Sequence, residues 1–495
     1  MTSIAFRNVE VFDGVGGKSF IADVGVKAGR IDCIGEVSGA EVEIEGQGYV
    51  LAPGFVDTHA HDDGAFIRHP GMEFKLQQGV TSVVSGNCGF SAIPSSPDVD
   101  HSAASGGILA GLKGDFVDLE GYFATVLSKE PSINNMMLVG HNTVRSIVLG
   151  DAKRAPTAAE LTTMRDHIRV ALEQGCCGFS SGLIYRPGRY SDTEEVVELA
   201  KVAGEFDALY TTHMRNEGDK LLEAVDEALL IGRESGSHLH ISHHKAAGKA
   251  NWGKVDKSLL KVEKALLSGQ AVTLDVYPYT AGSGRMIEYF NLDNPDEELA
   301  RTIRIASCPA NKLYEGRMLV DIAKEEGKTM PEMVRSILLA PEGDKTLCIQ
   351  FVISEEDVET NIKQKDMMIG SDGIPDLKGR PHPRLFGTFP RVLGHYVRDK
   401  KLIGLAEAIR RMTSLPARIF GMKERGRVAE GYHADLVLFD SGSISDQATY
   451  DQPMLPPVGI KMVVVNGEIA LSDGEVTRVG SGRMLRYRND SFSPN

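Results

Sequence analysis

Cysteine is scarce in this sequence. Six of the 495 residues are cysteine, two of them adjacent (Cys176 and Cys177), and neither the number nor the spacing makes a disulfide framework. Basic residues are in deficit too: 54 Lys and Arg stand against 68 Asp and Glu, a net charge of −14. That balance excludes a nucleic-acid partner, which needs a basic face. No stretch approaches the roughly 20 consecutive apolar residues that span a bilayer. The opening residues, Met1 to Arg7, lack the basic and apolar regions of a secretory signal. Tandem repeats and low-complexity tracts are missing as well. What remains is a cytoplasmic protein with no membrane or nucleic-acid partner. Its 42% apolar and 25% charged residues are ordinary for a soluble globular chain. At this length a single core stops growing, so a large unit and a smaller one are expected.

The two ends of the chain share a β texture. Asp23–Lys27 and Arg30–Ile34 flank the turn pair Ala28-Gly29. Near the other end, Lys461–Val465 runs into Asn466-Gly467, a strong hairpin signal. One small β-sandwich domain built from both termini (1–52 plus 421–484) is expected, followed by a loose tail, 485–495. Between them, 53–420 alternates short apolar runs with helical patterns such as Ala158–Gln174, Glu194–Phe206 and Lys220–Ser235. Such alternation predicts βα units and a parallel sheet. The candidate strands are Leu51–Asp57, Val80–Ser85, Met136–Val139, Gly178–Ser181, Leu209–Thr212, Leu239–Ser242, Ala271–Val276 and Met367–Ile369. Eight units match a (β/α)8 TIM barrel with insertions. The long stretch 285–347 reads as a helical insertion after strand seven, a candidate lid.

The strand ends carry the chemistry. Strand one leads into His59-Ala60-His61, and side chains two apart on a strand point to one side, so both imidazoles can reach one point. Imidazole is the commonest metal-binding side chain. Strand two leads to Cys88, strand five to His213, strand six to His243 and strand eight to Asp372. In a TIM barrel all strand C-termini open on the face that holds the active site. Residues spread over more than 300 positions therefore converge on one metal site. His141, after strand three, is a candidate pocket residue and not a ligand. His238 and His240, inside strand six, read as packing residues, and His244 should point away from its neighbour His243.

With their flanking β segments, these residues resemble the amidohydrolase superfamily, and Gly426-Arg427-Val428-Ala429-Glu430-Gly431-Tyr432-His433-Ala434-Asp435-Leu436 is similar to another of its signatures. More narrowly, Ser85-Gly86-Asn87-Cys88-Gly89-Phe90-Ser91, His213-Met214-Arg215-Asn216-Glu217, Ser242-His243-His244-Lys245, Asp275-Val276-Tyr277-Pro278-Tyr279, Gly370-Ser371-Asp372-Gly373 and Arg380-Pro381-His382-Pro383-Arg384 resemble the D-aminoacylases, or N-acyl-D-amino-acid deacylases. Many two-metal amidohydrolases bridge their metals with a carboxylated lysine, whereas this branch uses a cysteine. No lysine stands at the end of strand three or four here, and Cys88 is present.

The resemblance implies a zinc-dependent hydrolase acting on the amide bond of N-acyl-D-amino acids. Cys88, His213 and His243 would hold a tight Zn²⁺, with His59 and His61 at a second, weaker position. Thiolate and imidazole suit zinc. Asp372 would take the proton from the attacking water and pass it to the leaving amine. A free α-carboxylate wants a planar bidentate donor, which Arg supplies better than Lys. Arg384 is the candidate by resemblance, with Lys245 and Tyr277 or Tyr279 closing the clamp. An acidic substrate side chain would need a further cation, for which the insertion offers Arg285, Arg301 and Arg304. The rival readings are a hydrolase of cyclic amides or dipeptides from the same superfamily and a non-catalytic scaffold; the scaffold should have lost its ligands, and every expected position is filled.

Overall fold

In the computed structural model, residues 2–96, 116–477 and 480–487 are described. His101 and most of the expected tail lie outside them. A nine-stranded mixed sheet draws five strands from the N-terminal segment, Thr2–Val11, Phe20–Lys27, Arg30–Gly35, Ala40–Glu45 and Val50–Pro53, and four from Leu436–Val476. Both expected hairpins form. Lys27 pairs with Arg30 across Ala28-Gly29 (φ 50° and 79°), and Val465 pairs with Glu468 across Asn466-Gly467 (φ 50° and 88°). Two consecutive positive φ values make the type I′ turn whose twist matches the flanking strands.

Eight parallel strands form the barrel: β1 (Phe55–Asp57), β2 (Val80–Ser85), β3 (Asn134–Gly140), β4 (Gly178–Gly182), β5 (Leu209–His213), β6 (His238–Ile241), β7 (Val272–Val276) and β8 (Met367–Ile369), in spatial order β8-β7-β6-β5-β4-β3-β2-β1. Helices at Ala158–Gln174, Thr193–Glu205 and Leu221–Ser235 fall where the apolar periodicity puts them. The first of these starts with a Thr157/Glu160 capping box and stops at Gly175 (φ 111°), satisfying its terminal backbone groups at both ends.

Strand one departs from expectation. Leu51–Asp57 is not one barrel strand: Val50–Pro53 pairs antiparallel with Leu436–Phe439 of the terminal sheet, and only Phe55–Asp57 joins the barrel. Gly54 is the joint, and a Cβ there would lie 2.2 Å from Thr81 Cγ2. The segment 285–347 is not purely helical either. Gly282–Arg285, Ile303–Ser307 and Leu347–Gln350 form a three-stranded antiparallel sheet. That sheet and the helices Leu319–Glu325 and Met330–Leu338 enclose a separate apolar cluster around Phe290, Ile305, Ile322 and Met333.

β8 and β1 share no regular ladder, and the barrel closes just beyond them. Asp372 N donates to His59 O at 2.7 Å, His61 N to Gly373 O at 3.3 Å, and Thr58 Oγ1 to Ile369 O at 3.1 Å. The backbone that shuts the barrel is therefore the backbone that carries His59, His61 and Asp372.

Candidate metal centre

The strand ends bring six metal-type side chains together in a buried cluster. Cys88 Sγ lies 3.3 Å from His59 Nε2, 3.3 Å from His243 Nε2 and 3.7 Å from His213 Nδ1. Asp372 Oδ1 lies 3.2 Å from His61 Nε2 and 3.6 Å from His59 Nε2. The donor sets His59/Cys88/His243 and His59/His61/Asp372 each fit within 4.8 Å. His59 thus stands between two groups, as close to Cys88 as His243 is.

Backbone conformation singles out the same residues. Cys88 (φ 54°), His243 (φ 35°) and Asp372 (φ 50°) all occupy the left-handed region, which costs non-glycine residues energy and recurs where geometry serves function. The loop around Cys88 has no slack: a Cβ on Gly86 (φ 81°) would sit 2.2 Å from Leu138 O, and one on Gly182 would sit 2.0 Å from Cys88 O.

The electrostatics separate Cys88 from the other cysteines. Burial would push its thiol up, but the imidazoles of His59 and His243 outweigh burial and hold it well below the ordinary range. Cys348, equally buried without such neighbours, is pushed up to about 12. A buried thiolate ringed by imidazole nitrogens is a donor set that fits zinc. Burial would likewise raise Asp372, yet Arg384, His61, His243 and His59 keep its carboxyl well below the usual range. It is an acceptor at neutral pH.

Behind the imidazoles stand groups that strand-end reasoning passed over. Asp275, in β7, lies 2.8 Å from His240 Nε2 and 3.6 Å from His59 Nδ1, and accepts from His243 N at 2.5 Å. His240 is therefore a prop for Asp275 and not mere packing. Glu217 touches His213, His243 and Lys245. Lys75, fully buried, binds Asp57 at 2.6 Å, Asp62 at 3.1 Å and Ser371 Oγ at 3.0 Å. Asp275 stood in the alternating register of its strand, and Glu217 four residues after His213. Lys75 gave no signal, since a lysine in a short helix reads as solvated.

Of the residues expected to bind the substrate carboxylate, Arg384, Lys245 and Tyr277 lie together. Arg384 Nη1 lies 3.0 Å from Asp372 Oδ2, and its guanidinium sits 4.5 Å from the Tyr277 ring centre. Lys245 approaches the same ring at 5.6 Å. Tyr279 is not brought to this cluster. Its N–H folds back onto Tyr277 O at 3.0 Å, a γ-turn that reverses the chain, and its ring packs on Arg391 and His382. His244 points away to Asn361 and Ser258, and His141 pairs with buried Glu195. A narrow cleft over the cluster, with a cavity volume of about 10 Å³, is lined by His61, Cys88, Tyr185, Arg285, Glu288 and Asp372. All three candidate arginines are ion-paired, Arg285 with Glu288 at 3.2 Å, Arg301 with Glu297 and Arg304 with Asp451; of them, Arg285 lines the cleft.

A parallel barrel with this cluster at its strand ends and a mixed sheet beside it defines an amidohydrolase, and residues 352–471 match the amidohydrolase family. The N-acyl-D-glutamate deacylase of Alcaligenes xylosoxydans xylosoxydans is 41% identical over 92% of this chain and 91% of its own length. The D-aminoacylase of the same organism is 38% identical over 94% and 93%. Among solved structures, the N-acyl-D-glutamate deacylase from Bordetella bronchiseptica, complexed with zinc and a phosphonate inhibitor that mimics the tetrahedral intermediate, superposes with a TM-score of 0.91 at 38% identity, covering 98% of this chain and 99% of that one. The chain belongs to the D-aminoacylase (N-acyl-D-amino-acid deacylase) family.

Proposed function

We propose that this protein hydrolyses the amide bond of N-acyl-D-amino acids to a carboxylate and a free D-amino acid, with zinc as its metal. The observation that carries the reading is a buried Cys88 sulfur ringed by His59, His213 and His243, with Asp372 alongside. These residues would hold the ion. When bound there, zinc supplies Lewis acidity, polarising the amide carbonyl and easing deprotonation of water. The remaining work falls to the chain. Asp372 Oδ1 accepts the proton of the attacking water and returns it to the departing nitrogen. Arg384, now paired with Asp372, turns to the substrate α-carboxylate, with Lys245 near the same Tyr277 ring. Burial of the whole group excludes bulk water and strengthens each of these charges.

The 41% identity to an N-acyl-D-glutamate deacylase supports a narrower reading, an acidic D-amino acid whose side-chain carboxylate takes the place of Glu288 on Arg285. The test is a panel of N-acetyl-D- and L-amino acids, with and without a free α-carboxylate, assayed on zinc-loaded protein. D over L, free over amidated, and D-glutamate or D-aspartate over D-leucine are the expected orders. Arg285→Met should erase the last preference alone. Equal kcat/KM for the two enantiomers would sink the main reading.

A further inference from the structure

Glu217 stands in the loop after β5, four residues beyond His213, with little of its surface exposed. Its carboxylate lies 3.3 Å from His213 Nε2, 2.9 Å from His243 Nδ1 and 2.5 Å from Lys245 Nζ. The other nitrogens of the same rings, His213 Nδ1 and His243 Nε2, face Cys88 Sγ at 3.7 Å and 3.3 Å. Each imidazole thus has one nitrogen toward the thiol and one toward a single shared carboxylate. A neutral imidazole carries one N–H, and the acceptor it meets decides which nitrogen bears it.

We infer that Glu217 is the positioning carboxylate of the proposed zinc centre. At His213 it is the acceptor that faces Nε2 and favours the proton there, leaving a lone pair on Nδ1 toward Cys88; at His243 it shares Nδ1 with the Lys245 ammonium, which lies 2.9 Å from the same nitrogen, and steadies the ring from that side. The inference rests on the zinc reading above and extends it to a residue outside the donor set proposed there.

A different use of the same atoms is conceivable on distance alone, because His213, Glu217 and His243 also fit within 4.8 Å of one another. Lys245 argues against an ion there. Its ammonium donates to Glu217 at 2.5 Å and to His243 O at 2.8 Å, and lies 2.9 Å from His243 Nδ1. That gap already holds a cation, and a second would face it at contact distance. The Cys88 side is the side left for a metal. Through Lys245 the carboxylate also touches the expected substrate clamp, so it joins ligand holding to substrate holding.

The experiment compares wild type, Glu217→Gln and the double variant Glu217→Gln/Lys245→Met. Zinc affinity is read by chelator competition, fold by melting temperature, and the ligand set by the thiolate-to-metal absorption of cobalt-substituted protein. Loss of an outer carboxylate weakens metal holding by ~10–100-fold, so Glu217→Gln should raise the zinc dissociation constant by that factor while keeping the thiolate band. A folded Glu217→Gln protein with wild-type zinc affinity overturns the inference. A cobalt-substituted wild type without a thiolate band overturns it too, by placing the ion on the Glu217 side. The double variant leaves no unpaired buried charge; should the single one fail to fold, the zinc affinity of the double variant decides by the same criterion. Wild type that takes up no zinc removes the functional reading itself, and that failure is recognised before any variant is compared.

Discussion

Asp372 is held between unlike partners, a guanidinium on one oxygen and imidazoles on the other. Removing its charge while keeping its shape isolates proton transfer. In Asp372→Asn, kcat should fall by at least ~10²-fold, the scale of lost general acid–base catalysis, with a smaller change in KM. Were the residue only closing the turn after β8, its loss would lower the melting temperature and leave specific activity intact, so both quantities are measured together. Cys88 permits a second test. Cys88→Ala should abolish both bound zinc and turnover, read by elemental analysis and assay, since the two imidazole pairs would then lack the thiolate they share. Residues of this kind were legible in the sequence because each ends or follows a strand, and strand ends meet in a barrel. Tyr279 was not distinguishable from Tyr277, because the γ-turn that separates them is set by the tertiary surroundings and leaves no periodic trace.

Among the elements, the short helix Glu73–Leu76 contributes most per residue to the site. Its Lys75 ties Asp57 at the end of β1 to Ser371 ahead of Asp372, and Asp57 in turn accepts from Ser371 N at 2.8 Å and His59 N at 3.2 Å. Lys75→Met would strand Asp57 and Asp62 as buried unpaired carboxylates. Breaking a buried pair in this way costs about 3–5 kcal/mol, which a urea unfolding curve of metal-free protein would show as a lower midpoint. An unchanged midpoint would mean that water already serves those carboxylates. The hairpins and the barrel helices were readable from turn residues and 3.6-residue periodicity. The break at Gly54 was not, because Tyr49 to Val56 is one continuous apolar run and hydrophobicity alone does not say which of two sheets a strand joins. The insertion misled for a similar reason. Its short strands pair only with one another, so their signal is local and brief beside the helix Met330–Leu338 with its Thr329/Glu332 capping box.

On the scale of the whole molecule, metal, protons and stability are linked. Burial opposes a proton on His61 and His213, but Asp372 in the first case and Glu217 in the second prevail, and both groups are raised to about 9. In metal-free protein the stability they contribute is complete below the unfolded value near 6.5 and is lost as pH rises through about 9. A metal competes for the same nitrogens, so zinc binding should release protons and tighten as pH rises from 6 toward about 9. Titration calorimetry in buffers of different ionisation enthalpy measures that release; an affinity flat over this range would contradict the assigned protonation. Zinc should also raise the melting temperature by mass action, and a chelator should lower it. No helix among the described residues is long and apolar enough to cross a membrane. The closure of the barrel at His59 O and Asp372 N has a consequence in time. His61 and Asp372 are 311 residues apart, so at ~5–20 residues per second the ribosome delivers the second about 15–60 s after the first. Throughout that interval the histidine pair exists without Asp372, and the first terminal strands wait still longer for their partners, Leu436–Val476. A nascent chain of this protein therefore lacks Asp372 until about three-quarters of it is made, and its terminal sheet stays incomplete for longer still.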